Sequence, residues 1–104
     1  MEIRSEIIPI FKNLKGIYKI ILFGSRVNNP TKERGDIDLC FIIDDDFNSE
    51  DIIEKAGNVL AEHKVIIHPL IFKKSEFELK MKINIYKKSI LEKGRLLYKR
   101  KTIK

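Results

Sequence analysis

Two carboxylates one residue apart, Asp36 and Asp38, open a run that is otherwise apolar, "DIDLCFII". With ten residues between it and Asp36, the chain completes a Gly-Ser step, Gly24-Ser25, which directly follows another apolar run, "IYKIILF". Side chains alternate along a strand, so Asp36, Asp38, Cys40 and Ile42 share one face, and Ile37, Leu39, Phe41 and Ile43 share the other. Ionised carboxylates on a core strand are costly unless a positive charge meets them. Two acids at i and i+2 can share one or two hard cations, and Mg²⁺ favours one or two carboxylates completed by water and substrate phosphates. A Gly-Ser turn between a strand and a helix offers backbone N–H groups, a hydroxyl and a helix N-terminus, which together cradle phosphate. The set therefore predicts a nucleotide bound with a metal ion. Two metals about 3.5–4 Å apart would activate an attacking oxygen and stabilise a departing pyrophosphate, the chemistry of nucleotidyl transfer. Each part alone is commonplace, since a Gly-Ser turn is usually only a turn and acids at a strand start often face solvent. Their joint occurrence between two apolar strands is what points to a site.

The elements that must hold these residues can be read from periodicity. Ile3, Ile7, Ile10, Phe11 and Leu14 recur at helical spacing, with Pro9 predicting a kink or a late start. Ile17 to Phe23 reads as the first strand and Asp36 to Ile43 as the second, joined by the turn-forming and charged stretch Val27 to Gly35. Beyond the acidic loop Asp44-Asp45-Asp46, Asn48 or Ser49 can cap a helix that presents Ile52, Ile53, Ala56, Val59 and Leu60. Lys64 to Phe72 reads as a third strand, placed at an edge or a bulge by Pro69. Ser75-x-x-Glu78 has the form of a capping box opening a last helical region, which Gly94 ends. "RLLY" can add a short final strand. With no repeat and no linker, residues 1–104 are expected to form a single α+β (α/β) domain.

The length of 104 residues suits one core and not two. The net charge of +6 favours an anionic partner such as RNA, a nucleotide or an acidic protein surface. The 16 Lys and 19 Ile equally fit a composition set by source or by a hot habitat. A single cysteine, Cys40, excludes an internal disulfide and a Cys-based zinc site, which fits a reducing, cytoplasmic setting. No signal peptide or membrane-spanning run is visible, so no membrane association is expected.

"LFGSRVNNPTKERGDIDLCFII" resembles the core of the minimal nucleotidyltransferase family, within the DNA polymerase β-like nucleotidyltransferase superfamily, in its G-S step, its spacing, its D-x-D and the Arg after the Ser. "VIIHPLIFKKSEFE" and "ILEKGRLLY" are similar to closing segments of stand-alone members, so the likeness spans nearly the whole chain. The resemblance implies a nucleotidyltransferase fold, a small mixed β-sheet with helices packed on one side. It also implies Gly24, Ser25 and Arg26 at the triphosphate of ATP, and Asp36 and Asp38 as catalytic ligands of Mg²⁺. Where the superfamily often has a third acid on the next core strand, this sequence offers His68, and no Asp or Glu lies between Lys64 and Phe72. Imidazole can accept a proton or ligate a metal, but Mg²⁺ prefers oxygen.

Stand-alone members commonly pair with HEPN-domain toxins and silence them by moving AMP onto a tyrosine. The resemblance thus implies a protein adenylyltransferase antitoxin with a HEPN partner. Two other functions remain open at this point: a catalytically weak nucleotide-binding or HEPN-capping subunit, and an RNA or small-molecule nucleotidyltransferase. Among the other polar residues, Asp44-Asp45-Asp46 reads as a solvated loop, His63 as a partner of helix-end carbonyls, Cys40 as packing, and Tyr86 and Tyr98 as core or rim aromatics.

Overall fold

The structure is a computed structural model and describes residues 3–24 and 36–101. Its centre is a four-stranded sheet in the order β3-β2-β1-β4, with β1 at Ile17–Phe23, β2 at Ile37–Ile43, β3 at Ile67–Lys73 and β4 at Arg95–Lys99. β1 runs antiparallel to both β2 and β4. β2 and β3 are parallel, a pairing that needs a long crossover connection. That crossover is α2, Glu50–His63. β3 lies at an edge, where Pro69 costs the sheet no interior hydrogen bond.

At the N-terminus a wide helical turn, Ile3–Ile7, runs into α1, Ile8–Lys12, with Pro9 in its first turn. A proline there is tolerated because the N–H it lacks has no intrahelical partner. Asn48 Oδ1 accepts the Glu50 N–H at 2.9 Å and opens α2. Lys64 closes it in the left-handed conformation, φ 59°, so β3 begins at Ile67 and not at Lys64. The predicted capping box sits elsewhere. α3 spans Lys74–Lys80, Glu76 accepts the Lys73 N–H at 3.0 Å, and the Ser75 N–H is turned to Asp45 Oδ1 at 3.1 Å. α4, Asn84–Tyr86, continues as a second wide turn, Lys87–Glu92, so the last helical region is broken and not continuous.

Ile37, Leu39, Phe41 and Ile43 pack with Ile20 and Leu22 against Ile7, Ile8 and Phe11 of the N-terminal helix and Ile52 and Val59 of α2. The rings of Phe11 and Phe41 lie 5.0 Å apart. The mixed sheet and its class are as expected, but helices cover both faces and not one. Cys40 and Ile42, on the opposite face of β2, join Ile21 and Phe72 in a second cluster closed by Met81 and Ile90, with Phe77 and Tyr86 at its margin. The physical reason lies in β2 itself, whose last four residues are all apolar and fully or almost fully buried. A strand of that kind has to be covered on both sides.

Candidate active site

β1 ends at Phe23, and Gly24 follows with φ +77°, a conformation that L side chains avoid. A Cβ at Gly24 would collide with Asp38 Oδ2, so the missing side chain lets the Asp38 carboxylate lie directly against the turn. The sheet register explains this approach: Phe23 pairs with Asp38 across the antiparallel ladder, and Asp38 pairs with His68 across the parallel one. Asp36 precedes β2 by one residue, and the Ile37 N–H to Ile66 carbonyl bond of 2.9 Å fixes the strand there. Gly24, Asp36, Asp38 and His68 are thus gathered at one end of the sheet by three strands.

His68 Nε2 is in contact with Asp36 Oδ2. Both side chains are open to solvent, His68 at 56% and Asp36 at 45%, while Asp38 is half-buried. The hydrogen bond to Asp36 raises the His68 pKa above the ordinary imidazole value; desolvation opposes that rise, and the charges of Asp36 and Asp38 each add a smaller upward contribution. Among the described residues no Lys or Arg forms an ion pair with either carboxylate. Nor do the described residues contain a group of three or more His, Cys, Asp or Glu placed to hold a metal ion. Two hard oxygen donors with room for water and phosphate are nevertheless the set that Mg²⁺ takes, so Asp36 and Asp38 fit such an ion. Ser25 and Arg26 lie outside the described residues.

The remaining candidates fall away from this cluster. Arg100 donates to both oxygens of Asp44, at 2.7 and 3.0 Å, and this holds the carboxyl below its usual range. Asp45 is likewise lowered, by its hydrogen bonds with Ser75, so the acidic loop is tied to the fold as well as solvated. Cys40 is fully buried, and burial pushes its thiol up to about 12, as inert packing requires. The last turn of α2 is capped by Lys64 Nζ, which donates to the Ala61 carbonyl at 3.1 Å, in the role expected of His63. Tyr86 packs edge-on against Phe72 at 5.5 Å, and Tyr98 rests against the larger core.

Two features escaped the sequence. The contact of His68 with Asp36 follows from the parallel register that pairs Asp38 with His68, which neither segment encodes by itself. The other is an open cavity of about 300 Å³ lined by Tyr18, Lys19, Ile42, Lys74, Phe77 and Glu78, where Lys74 Nζ sits 4.5 Å from the centre of the Tyr18 ring. It lies at the end of the sheet away from Asp38, and no pattern in the sequence marks it.

Comparison with known proteins bears on what this end of the sheet can do. The family model described as "Polymerase beta, Nucleotidyltransferase" matches residues 5–103. The chain is 33% identical over 82 residues to a Methanocaldococcus jannaschii protein named "Putative protein adenylyltransferase MJ0604", with 79% of each chain covered. In a crystal structure of a toxin-antitoxin with AMP-PNP, one chain superposes with a TM-score of 0.67 at 16% identity, covering 94% of this chain and 74% of that one. A chain from the complex of a tri-AMPylated Shewanella oneidensis HEPN toxin with an MNT antitoxin gives 0.60 at 17% identity, covering 93% and 70%. These two likenesses establish the nucleotidyltransferase fold. Among the described residues, no helix is long and apolar enough to cross a membrane.

Proposed function

Because the chain belongs to the polymerase beta nucleotidyltransferase family, we propose that it moves AMP from ATP, with Mg²⁺, onto a tyrosine of a HEPN-domain protein and thereby silences that partner. The observation that carries this reading is the juxtaposition of the Asp38 carboxylate with the side-chain-free turn at Gly24. A phosphate seated on that turn would meet the acid pair at once. Support for a protein acceptor comes from the M. jannaschii relative, and support for a HEPN acceptor from the fold shared with the S. oneidensis complex.

In this reading Asp36 and Asp38 hold the ion, which supplies Lewis-acid stabilisation of charge on the reacting phosphate. Gly24 gives the backbone room to approach the triphosphate. Ser25 donates a hydroxyl hydrogen bond to a phosphate oxygen, and Arg26 adds a charged donor. His68 orients the Asp36 carboxylate and stands where the resembled superfamily often has its third acid. The acceptor has to be oriented by the partner, because this end of the sheet is exposed, and orientation can contribute roughly 7–11 kcal/mol towards a barrier.

The test is to incubate the protein with a HEPN protein encoded by a neighbouring gene, labelled ATP and Mg²⁺. The expected result is label on a partner tyrosine, a mass gain in AMP units and a fall in the partner's RNA cleavage, with Asp38→Asn binding the partner but not modifying it. Tight binding without mass gain would favour the capping-subunit reading, which the absence of any Asp or Glu between Lys64 and Phe72 supports. Label on RNA in place of protein would make the chain an RNA nucleotidyltransferase.

A further inference from the structure

The outer face of α2 has features that its own core does not explain. Ile52 and Val59 are fully buried against the sheet, whereas Ile53 and Leu60 are 54% and 46% exposed. The exposed pair is spaced seven residues apart and so falls on one helical stripe. Gly57 lies between them, and a Cβ there would meet nothing within 4 Å. Rotation at 3.6 residues per turn brings Glu50, Ile53, Gly57, Leu60 and Ala61 within roughly 60° of one another's mean direction, and Lys64, just past the helix in the left-handed conformation, folds its ammonium back onto the Ala61 carbonyl at the end of that stripe. All six are exposed. Glu50 and Lys64 stand at equal distances before and after Gly57.

Such a stripe is complementary to itself. We propose that α2 is the surface through which the chain pairs with a second copy, helix antiparallel to helix about a two-fold axis at Gly57. A two-fold contact is reciprocal, so a position k residues after Gly57 meets the position k residues before it in the other copy. Glu50 then faces Lys64 of the second copy, and Lys64 faces its Glu50. Ile53 meets Ala61, with Leu60 alongside, and the two Gly57 backbones approach without a side chain between them. A partner surface of one charge would be repelled at one end of the stripe; a second copy matches both ends by symmetry. A 14-residue helix is only about 21 Å long, so the contact belongs with small, transient interfaces and its population depends on concentration. α2 covers the sheet face formed by Leu39 and Phe41, opposite to that of Asp36 and Asp38, so pairing leaves both catalytic faces open. The proposal stands independently of the acceptor's identity.

Sedimentation velocity of the full chain across the micromolar range should show a concentration-dependent dimer that weakens with salt. Glu50→Lys and Lys64→Glu should each weaken pairing about tenfold or more by setting like charges together, and the double variant should restore it. Gly57→Cys should cross-link on oxidation, with the buried Cys40 not competing, while a control Lys82→Cys on an exposed turn should not. Unchanged melting temperatures would verify that each variant is folded. A monomer at every concentration, pairing that survives the single reversals, a double variant that fails to restore it, or equal cross-linking in the control would each overturn the proposal.

Discussion

Asp44, just past the end of β2, and Asp38, near its start, are the same side chain in opposite circumstances. Asp44 receives both ends of the Arg100 guanidinium, and Arg100 is itself fixed by its N–H to the Tyr18 carbonyl at 2.8 Å and by a bond to the Lys15 carbonyl at 2.9 Å. The fold therefore answers that charge internally. Asp38 and its neighbour Asp36 meet an imidazole and a bare glycine turn, and no guanidinium or ammonium is ion-paired with them among the described residues. One strand thus separates a carboxylate used to tie the chain together from a pair whose charge, in the reading proposed above, is met by a diffusible cation. Like charges side by side are unfavourable unless something offsets them, and the two ends of β2 show two ways of doing so.

The sharpest way to break the comparison is to neutralise each end in turn. Asp38→Asn, or Asp36→Asn, is expected to cut AMP transfer by roughly a thousandfold or more, because ion-assisted charge stabilisation is worth several kcal/mol at about 1.4 kcal/mol per decade. The melting temperature without Mg²⁺ should hold or rise slightly as repulsion is relieved. Activity close to wild type in labelled-ATP assays would remove both acids from the chemistry.

Gly24→Val should act on both activity and stability. It forces a β-branched residue to φ +77° and drives a Cβ into Asp38, so a loss of about 2 kcal/mol by denaturant titration is expected, together with weakened ATP binding. A variant that melts like wild type and binds ATP normally would show that the turn can move aside.

His68→Ala should leave the melting temperature unchanged and activity within about tenfold, because the pair it forms with Asp36 is solvent-exposed. A loss of a hundredfold or more, the scale of general acid–base catalysis, would give the imidazole a direct part in the reaction.

The smallest effect belongs to Asp44→Asn, which should cost about 1 kcal/mol or less at neutral pH and leave transfer per folded molecule intact. Its pH dependence has a definite sign. The folded-state pKa of Asp44 is lowered, so the pair's contribution is complete above the ordinary carboxylate value of about 4 and is lost as pH falls through the lowered one. Wild type and variant should therefore converge in melting temperature in acid, and a gap that widened on acidification would contradict the role given to Arg100.

The sequence by itself determined much of the scaffold. "IYKIILF" forms β1 over the residues its composition indicated, "RLLY" lies within β4, and Pro69 marks an edge strand. It also led to the expectation that Asp36 and Asp38 share a face, because alternation along a strand is a local property, although Asp36 stands one residue before β2. The second helical layer was less legible: Cys40 and Ile42 lay in view as apolar residues on the acids' own face, yet what covers them comes from Met81 and Ile90, far along the chain. Tertiary structure alone brought His68 to Asp36 and Arg100 to Asp44, 32 and 56 residues apart. Those meetings depend on the parallel register that the α2 crossover imposes between β2 and β3, and on where the chain leaves β4. Strand alternation and turn chemistry act over a few residues and leave a mark in the sequence, whereas the partner of a charge is chosen by register between strands, which no single segment encodes.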